Sequence, residues 1–312
     1  MAKSGAIVMA AGKSTRMKSN KVKVLHEVCG RPMVAYVLDA LREAGVEKIA
    51  LVVGHDRERV MDMFGGQKDL CFVEQTEQKG TGHAVLMAEK AMQMVDGPLF
   101  VLAGDGPLIR AETLKTLLGH FSARRASMIL ATSELAEPTG YGRIVRDRDG
   151  RLQRIVEERD CSAEQRDIRE INPSYYLFDG AVLWPYLKEI KPNNAKGEYY
   201  LTDLVEILLS AGRPVEALAA VPPEDVLSIN SRAELAKVSA VMQARIVASV
   251  LASGVTITSP MNTWIEFGAK IGQDTVLEPF TFIGAGAVVE AGSRVPAGTV
   301  ITRGERFGSP AA

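Results

Sequence analysis

From Ile265 onward an aliphatic residue returns every six positions: Ile265, Ile271, Leu277, Ile283, Val289, Val295 and Ile301, with Gly272 and Gly284 beside two of them. An α-helix repeats its faces every 3.6 residues and a strand every two, so a strict step of six fits neither a helix nor an ordinary meander. It is the period of a hexapeptide β-helix, whose short strands stack one inward side chain above another. That architecture is what the C-terminal part of the chain can fold into, and the remainder has to be read as a different unit.

The N-terminal part has another grammar. Ala6 to Met9 reads as a buried strand that stops at Ala10, Ala11 and Gly12, small residues that let backbone N–H groups approach a ligand closely. Lys13, Arg16, Lys18, Lys21 and Lys23 follow within a dozen residues, a set that suits a polyphosphate: an Arg fork and Lys point charges against an anion held by backbone donors. Gly12-Lys13-Ser14-Thr15 matches the tail of a P-loop, but the first glycine of that motif would fall at Ile7, so a P-loop is excluded. These residues alone leave a solvated basic loop and a nucleotide site both open.

Apolar runs at Ile49–Val53, 70–73 and 99–102 read as further buried strands, with helical stripes between them at Met33, Val34, Val37, Leu38 and Leu41 and at Val85, Ala88, Met92 and Val95. Such alternation predicts an α/β fold: a Rossmann-like, mostly parallel sheet with right-handed crossovers and ligands at the carboxyl ends of the strands, where the basic loop lies. The 312 residues are enough for two domains, and 46% hydrophobic with 24% charged residues is ordinary for a soluble protein. Lys and Arg number 37 against 38 Asp and Glu, which leaves no electrostatic footprint for nucleic acid or an anionic membrane. Cys29, Cys71 and Cys161 are far apart and form no Cys-x-x-Cys pair, favouring reduced thiols in a cytoplasmic protein over disulfides or zinc. The apolar run before Gly12 is too short to cross a bilayer and is followed by no convincing signal-peptide cleavage pattern. His26 and His55 have no metal-ligand partner at helical spacing and read as structural.

Three polar segments admit both a structural and a functional reading. Gly80, Thr81 and Gly82 open a helix whose free N–H groups favour acceptors, although a capped helix would look the same. Asp105 follows the strand ending at Leu102, where an acid serves as a turn former or as an oxygen ligand for a hard cation. Asn230 stands at a helix entry in front of Ser231 and Glu234, a Ser-x-x-Glu capping box, and Leu235, Val238, Met242 and Ile246 carry that helix toward Gly254. Pro138 to Arg143 is a turn cluster that leads into an alternating hairpin.

The order of residue types around these points resembles the sugar-phosphate nucleotidylyltransferases. Ala10-Ala11-Gly12-x-x-Thr15-Arg16-Met17 followed by Lys23-Val24-Leu25-His26 looks most like the bacterial N-acetylglucosamine-1-phosphate uridylyltransferases, and the resemblance extends over nearly the whole chain. It implies Arg16 and Lys23 as the catalytic cations, and Met9, Ala10, Ala11, Gly12, Lys23, Ala103 and Gly104 as nucleotide contacts. Gln75, Gly80 and Thr81 match the segment that reads uracil; Gly142, Glu157 and Asn172 match the sugar wall. Gly104-Asp105-x-Pro107-Leu108 resembles the metal-binding turn, with Asp105 and Asn230 as the implied Mg2+ ligands. Departures are Ser14 and Gly106 for the usual Gly and Val, Val22 for Pro, and Pro173-Ser174 for Thr-Gly.

The expectations are a nucleotidylyltransferase domain over 1–228, a linking helix over 229–254 and a short left-handed β-helix over 255–312. At three hexads to a turn, about two turns fit. The implied reaction joins UTP and a sugar 1-phosphate, most closely N-acetylglucosamine 1-phosphate, in a homotrimer that lacks the acetyltransferase activity of longer bifunctional relatives. Another sugar 1-phosphate, or a non-catalytic nucleotide-binding subunit of the same fold, are the alternatives.

Overall fold

In the computed structural model, which describes residues 4–12, 15–54 and 56–308, the alternation read from the sequence builds one nine-stranded sheet. Its first half runs β1 (Gly5–Met9), a small ribbon of β2 (Glu27–Val28) and β3 (Arg31–Pro32), α1 (Met33–Glu43), β4 (Lys48–Val53), α2 (Arg57–Phe64), β5 (Leu70–Glu74), α3 (Thr81–Met87), α4 (Glu89–Met92) and β6 (Pro98–Ala103). β1 lies between β4 and β6 and parallel to both, and β5 continues this parallel half beyond β4. Ile7 faces one helical layer while Ala6 and Val8 face the other, so the period of two sorts one strand into two cores.

The second half adds α5 (Ala111–Arg124), β7 (Met128–Glu134), β8 (Gly142–Arg146), β9 (Leu152–Val156), α6 (Ala163–Arg166), β10 (Glu170–Asp179), α7 (Gly180–Leu187), α8 (Leu204–Ser210) and β11 (Val215–Ala219). The strand order is β11-β7-β10-β6-β1-β4-β5; β10 is antiparallel to β6 and β7 and also carries the predicted β8–β9 hairpin. The carboxyl ends of β1, β4 and β6 therefore open together. The stripe Val85, Ala88, Met92, Val95 does not form one helix: the Ala88 N–H bonds to the Val85 carbonyl, three residues back, and this tight turn separates α3 from α4 while all four side chains stay buried.

α9 (Arg232–Ala252) leaves the sheet domain as the longest helix among the described residues. By length and composition alone it is long and apolar enough to cross a membrane. Here Val238 and Met242 join the core under the sheet and Val247 joins the core of the next unit, so one helix is packed into both.

Nine two-residue strands from Thr256–Ile257 to Arg306–Phe307 then form three parallel sheets of three. Ile257, Leu277 and Val295 stack in register, as do Ile265, Ile283 and Ile301, and Ile271, Val289 and Phe307. This is a β-helix of three coils, not the two turns expected from the sequence. The step from Ile257 to Ile265 is broken out of the hexad by the 3-10 turn Pro260–Asn262, and Phe307 adds an aromatic rung at the other end. Ile265, Leu277, Ile283 and Val295 are fully buried, each contributing about 1.5–3 kcal/mol of apolar transfer.

The β-helix also touches the sheet domain directly. The Phe267 N–H donates to the Cys29 carbonyl at 2.9 Å, and the Arg31 guanidinium lies 4.6 Å from the Phe267 ring centre, with Tyr36 edge-on to the same ring. Arg303 donates to the Gly30 carbonyl at 2.8 Å. Gly30 sits at φ +76°, and a Cβ there would run into the Glu266 carboxylate.

Candidate active site

The loop after β1 is held from both sides of its neck. Ala10 N–H donates to the Val52 carbonyl at 2.8 Å, Gly104 N–H donates to the Met9 carbonyl at 2.9 Å, and a Cβ on Gly54 would lie 2.7 Å from the Ala11 carbonyl. Small residues are required where three strand ends and a loop converge this closely. Lys13, Ser14 and His55 lie outside the described residues.

Ten of the residues singled out from the sequence line one cavity of about 290 Å³: Met9, Ala10, Ala11, Gly12, Lys23, Gln75, Gly80, Thr81, Ala103 and Asp105. Gln75 is buried, donating through Nε2 to the Gly80 carbonyl at 3.3 Å and meeting His83 Nδ1 at 3.0 Å. Gly80 holds φ +107°, and a Cβ would stand 2.6 Å from the Tyr199 carbonyl oxygen, so only glycine fits. Thr81 Oγ1 accepts from the Leu201 N–H at 3.0 Å. These contacts, with the Gly82 N–H on the Tyr199 carbonyl and the Tyr199 N–H on the Lys79 carbonyl, fasten the chain around Tyr199–Leu201 against the cavity.

At the floor, Lys23 joins the two implied metal ligands. Its ammonium donates to Asp105 Oδ2 and, at 2.7 Å, to Asn230 Oδ1, with the side chains of Lys23 and Asp105 only 12% and 20% exposed. The Ile229 N–H bonds to the Asp105 carbonyl at 3.0 Å, which ties the two chain segments together behind the side chains. An anionic oxygen and an amide oxygen converging on one cation are a donor set that fits a hard divalent ion as well as an ammonium. Val22, just before the 3-10 turn Lys23–Leu25, holds φ −54°, within the range a proline ring would fix, so the departure from Pro leaves the entry to Lys23 in the same conformation. Arg16 stands exposed on the 3-10 turn Thr15–Met17 and does not line this cavity.

Of the sugar-wall residues only Glu157 lines a second cavity of about 270 Å³, beside Thr202, Asp203 and Asn194, while Gly142 and Asn172 border neither this cavity nor the first. A Cβ on Gly142 would lie 3.0 Å from the Ile155 side chain and 3.7 Å from Glu157 Oε2. Asn172 is buried beside Gly142, its register partner, but its amide is engaged: Nδ2 donates to the Tyr176 hydroxyl at 2.6 Å and Oδ1 accepts from the Ser174 N–H at 3.0 Å. Ser174, at the bulge of β10, lines the first cavity with φ +65°, the left-handed region where glycine costs nothing and serine is strained. A larger concavity of about 850 Å³, lined by Arg146, Arg154, Glu206 and Arg213, carries none of these residues.

Glu157 accepts from the Thr202 hydroxyl at 3.2 Å, and burial pushes its carboxyl above the usual range. Asp203 is pushed up to about 6, by burial first and then by Glu206 and Asp160. A carboxyl whose folded pKa lies above its unfolded value of 3.8 contributes stability below that value and loses it as the pH rises through about 6. Asp203→Asn should therefore gain melting temperature over the parent progressively from pH 4 to pH 7. A difference that stays constant across that range would show that Asp203 is not held in this way.

Sequence reading missed two cavity residues and the reach of Glu234 beyond its capping box. Gln78 donates to the Ala11 carbonyl at 2.5 Å and lines the cavity; it lies in the uracil-like segment, but nothing in its spacing marks it. Glu198 lines the same cavity. Ser231 caps α9 by accepting from the Glu234 N–H at 3.3 Å, and Glu234 Oε2 accepts from the Ser231 hydroxyl at 3.0 Å and from the Asn230 N–H at 2.8 Å, so the capping box reaches one residue further back and fixes the backbone of a ligand candidate.

Fold and site together define an α/β domain of the NTP transferase class. The chain belongs to the family of the MobA-like NTP transferase domain, whose model matches residues 6–170, more than half of its length. Among curated relatives it is 44% identical over 283 residues to the bifunctional protein GlmU of Geobacillus sp. (strain WCH70), covering 91% of this chain and 61% of the relative. It is 41% identical over 288 residues to the bifunctional protein GlmU of Geotalea daltonii, covering 92% and 63%. The chain thus spans about three fifths of the length of the curated relatives it matches. Crystal structures of UDP-glucose pyrophosphorylase, apo and complexed with UDP-glucose, superpose with a TM-score of 0.65 at 21% and 22% identity, over 79% and 78% of this chain and all of theirs, a likeness of fold.

Proposed function

We propose that this chain is a uridylyltransferase that joins N-acetylglucosamine 1-phosphate to UTP, yielding UDP-N-acetylglucosamine and pyrophosphate. The observation that carries the reading is the convergence of Lys23, Asp105 and Asn230 at the floor of a cavity whose wall holds Gln75, Gly80 and Thr81. Similarity to the bifunctional GlmU proteins over about nine tenths of the chain supports it.

An oxygen of the sugar phosphate attacks the α-phosphorus of UTP in line, forming the new P–O bond as the bond to the pyrophosphate breaks. Gln75 spends its amide N–H groups on Gly80 and His83, which leaves Oε1 to accept from the uracil N–H. Lys23, with Arg16 from the exposed turn, offsets the charge that develops on the phosphates, and no protein nucleophile is needed. Mg2+, held by Asp105 and Asn230, would supply further neutralisation of phosphate oxygens. Glu157, Gly142 and Asn172 form the sugar wall, with Glu157 accepting from hydroxyls.

A different sugar 1-phosphate is the second reading, favoured by Ser174 in its left-handed conformation at the cavity and by the Asn172 amide turned onto Tyr176. Mg2+-dependent pyrophosphate release from UTP across a panel of sugar 1-phosphates tests both. Release with N-acetylglucosamine 1-phosphate above all others is expected, release with another sugar selects the second reading, and release with none sinks the enzymatic proposal in favour of a non-catalytic subunit.

The same reading divides the chain into a nucleotidylyltransferase domain over 1–228, a linking helix over 229–254 and a β-helix over 255–312, working in the cytoplasm as a homotrimer. Trp264, Phe282 and Val300 are register partners on one β-helix face; Trp264 and Val300 remain exposed, and covering such an apolar ladder favours association. Light scattering at micromolar concentration should return three times the chain mass; a monomer mass would remove the trimer.

A further inference from the structure

The ammonium of Lys23 occupies the position at which a metal ion would meet Asp105 and Asn230. It bonds to one oxygen of each, and both partners reach it from segments far apart in sequence. The orientation of Asn230 is built in: its N–H is held by Glu234 Oε2 at 2.8 Å, its Nδ2 reaches Ser228 Oγ at 3.4 Å, and its oxygen is left facing Lys23. We propose that Lys23 is the resident cation of the metal site in the substrate-free protein, excluding divalent ions until the phosphates of the nucleotide draw it away. This rests on the proposed reading of Asp105 and Asn230 as metal ligands and concerns the order in which that site is filled.

Charge decides the order. A single carboxylate and one amide are a sparse donor set for a strongly hydrated divalent ion, which ordinarily gains phosphate oxygens as further ligands. Without substrate, Lys23 already neutralises Asp105 in a largely water-excluded position, and a second cation at hydrogen-bond distance would be repelled. Lys23 also lines the cavity together with Ala11 and Gly12 of the phosphate loop, so its flexible stem can carry the charge from the carboxylate to a triphosphate. Lys23 would thereby leave the two oxygens, and Asp105 and Asn230 would hold the divalent ion together with oxygens of the triphosphate. Metal and nucleotide then enter together, and the free protein holds neither an uncompensated buried carboxylate nor an adventitious ion.

The test is Mn2+ binding to the nucleotide-free full chain, followed by electron paramagnetic resonance. Lys23→Met keeps the length of the side chain and removes its charge, and should bind Mn2+ about tenfold more tightly than the parent, while Lys23→Arg should not. Added Mn2+ should also raise the melting temperature of Lys23→Met more than that of the parent. Should Lys23→Met fold poorly, Lys23→Gln carries the same expectation. A Lys23 variant without charge that binds Mn2+ no better than the parent overturns the proposal. The double variant Lys23→Met, Asp105→Asn should lose the gain; a gain that persists there overturns the proposal together with the assignment of Asp105. By contrast, if the gain is absent in Lys23→Met and Lys23→Gln while Asp105→Asn still abolishes metal-dependent pyrophosphate release, the metal site stands and only the role given to Lys23 falls.

Discussion

Asp105→Asn should lower pyrophosphate release from UTP by roughly a hundredfold or more at ordinary Mg2+ and leave the fold nearly untouched. Asparagine keeps the shape and one oxygen that can still accept from Lys23, so the lost ion pair costs only about 1 kcal/mol of stability. What it removes is the negative charge that would hold a metal against its hydration shell. A strand-end Asp that merely formed a turn would give the opposite pattern, with a lower melting temperature and near-normal turnover. Melting and pyrophosphate release measured on one preparation across an Mg2+ titration separate the two, and turnover within about threefold of the parent at every Mg2+ level would take Asp105 out of the site.

The largest loss of stability is expected from Asp225→Ala. The Asp225 side chain, 1% exposed, lies between Arg245 of α9 and Arg110 at the start of α5. Arg110 Nη2 donates to Oδ1 at 2.9 Å, whereas its Nε, 2.6 Å from Oδ2, is not aligned as a hydrogen bond and contributes by charge alone. Deleting the carboxylate leaves the Arg245 guanidinium without its buried counter-charge, while Arg110, 40% exposed, keeps Glu224 at 3.1 Å; removing one partner of a buried pair costs about 3–5 kcal/mol, and the loss should approach the lower end of that range. Urea unfolding should report it as a lower midpoint with an unchanged slope. A loss under about 1 kcal/mol would mean that both arginines simply turn out to water. Arg245 also donates to the Leu108 carbonyl at 2.8 Å, so the same variant loosens the turn that carries Asp105.

Legibility in the sequence followed the range over which each interaction acts. Strands and helices were readable because their side-chain periods are local: Ile7 against Ala6 and Val8 sorts the central sheet, and the hexads sort the β-helix. The reading shortened the β-helix by one coil because Ile257 is out of phase across Pro260–Asn262 and Phe307 is an aromatic rung in an aliphatic series. It ran α3 and α4 together because a tight turn at Ala88 does not disturb the apolar stripe. Lys23, Asp105 and Asn230 are separated by 82 and 207 residues from Lys23 outward, a distance over which no spacing rule speaks, and only the resemblance paired them. Gln78 acts on a backbone group of another segment, Ala11, and Glu234 on the backbone of Asn230 just outside its capping box, and a contact to backbone carries no residue-type signal at the partner position. The engagement of Asn172 with Tyr176 likewise depends on the bulge of β10, which the Pro173-Ser174 dipeptide hints at without fixing.

The register of the β-helix gives the gene a unit of length. Ile265, Ile283 and Ile301 are eighteen positions apart, so an in-frame gain or loss of eighteen codons inserts or removes a whole coil and leaves every later side chain on its own face. Gains or losses of six codons keep the stacking but turn the remaining coils by one face. Glu266 and Phe267 on the first coil and Arg303 on the third meet the Cys29–Gly30 turn, which stands seven residues past Lys23. Indels in multiples of eighteen placed after Arg303 preserve that seam. A six-codon change before it swings Arg303 away from Gly30 and removes its hydrogen bond to that turn.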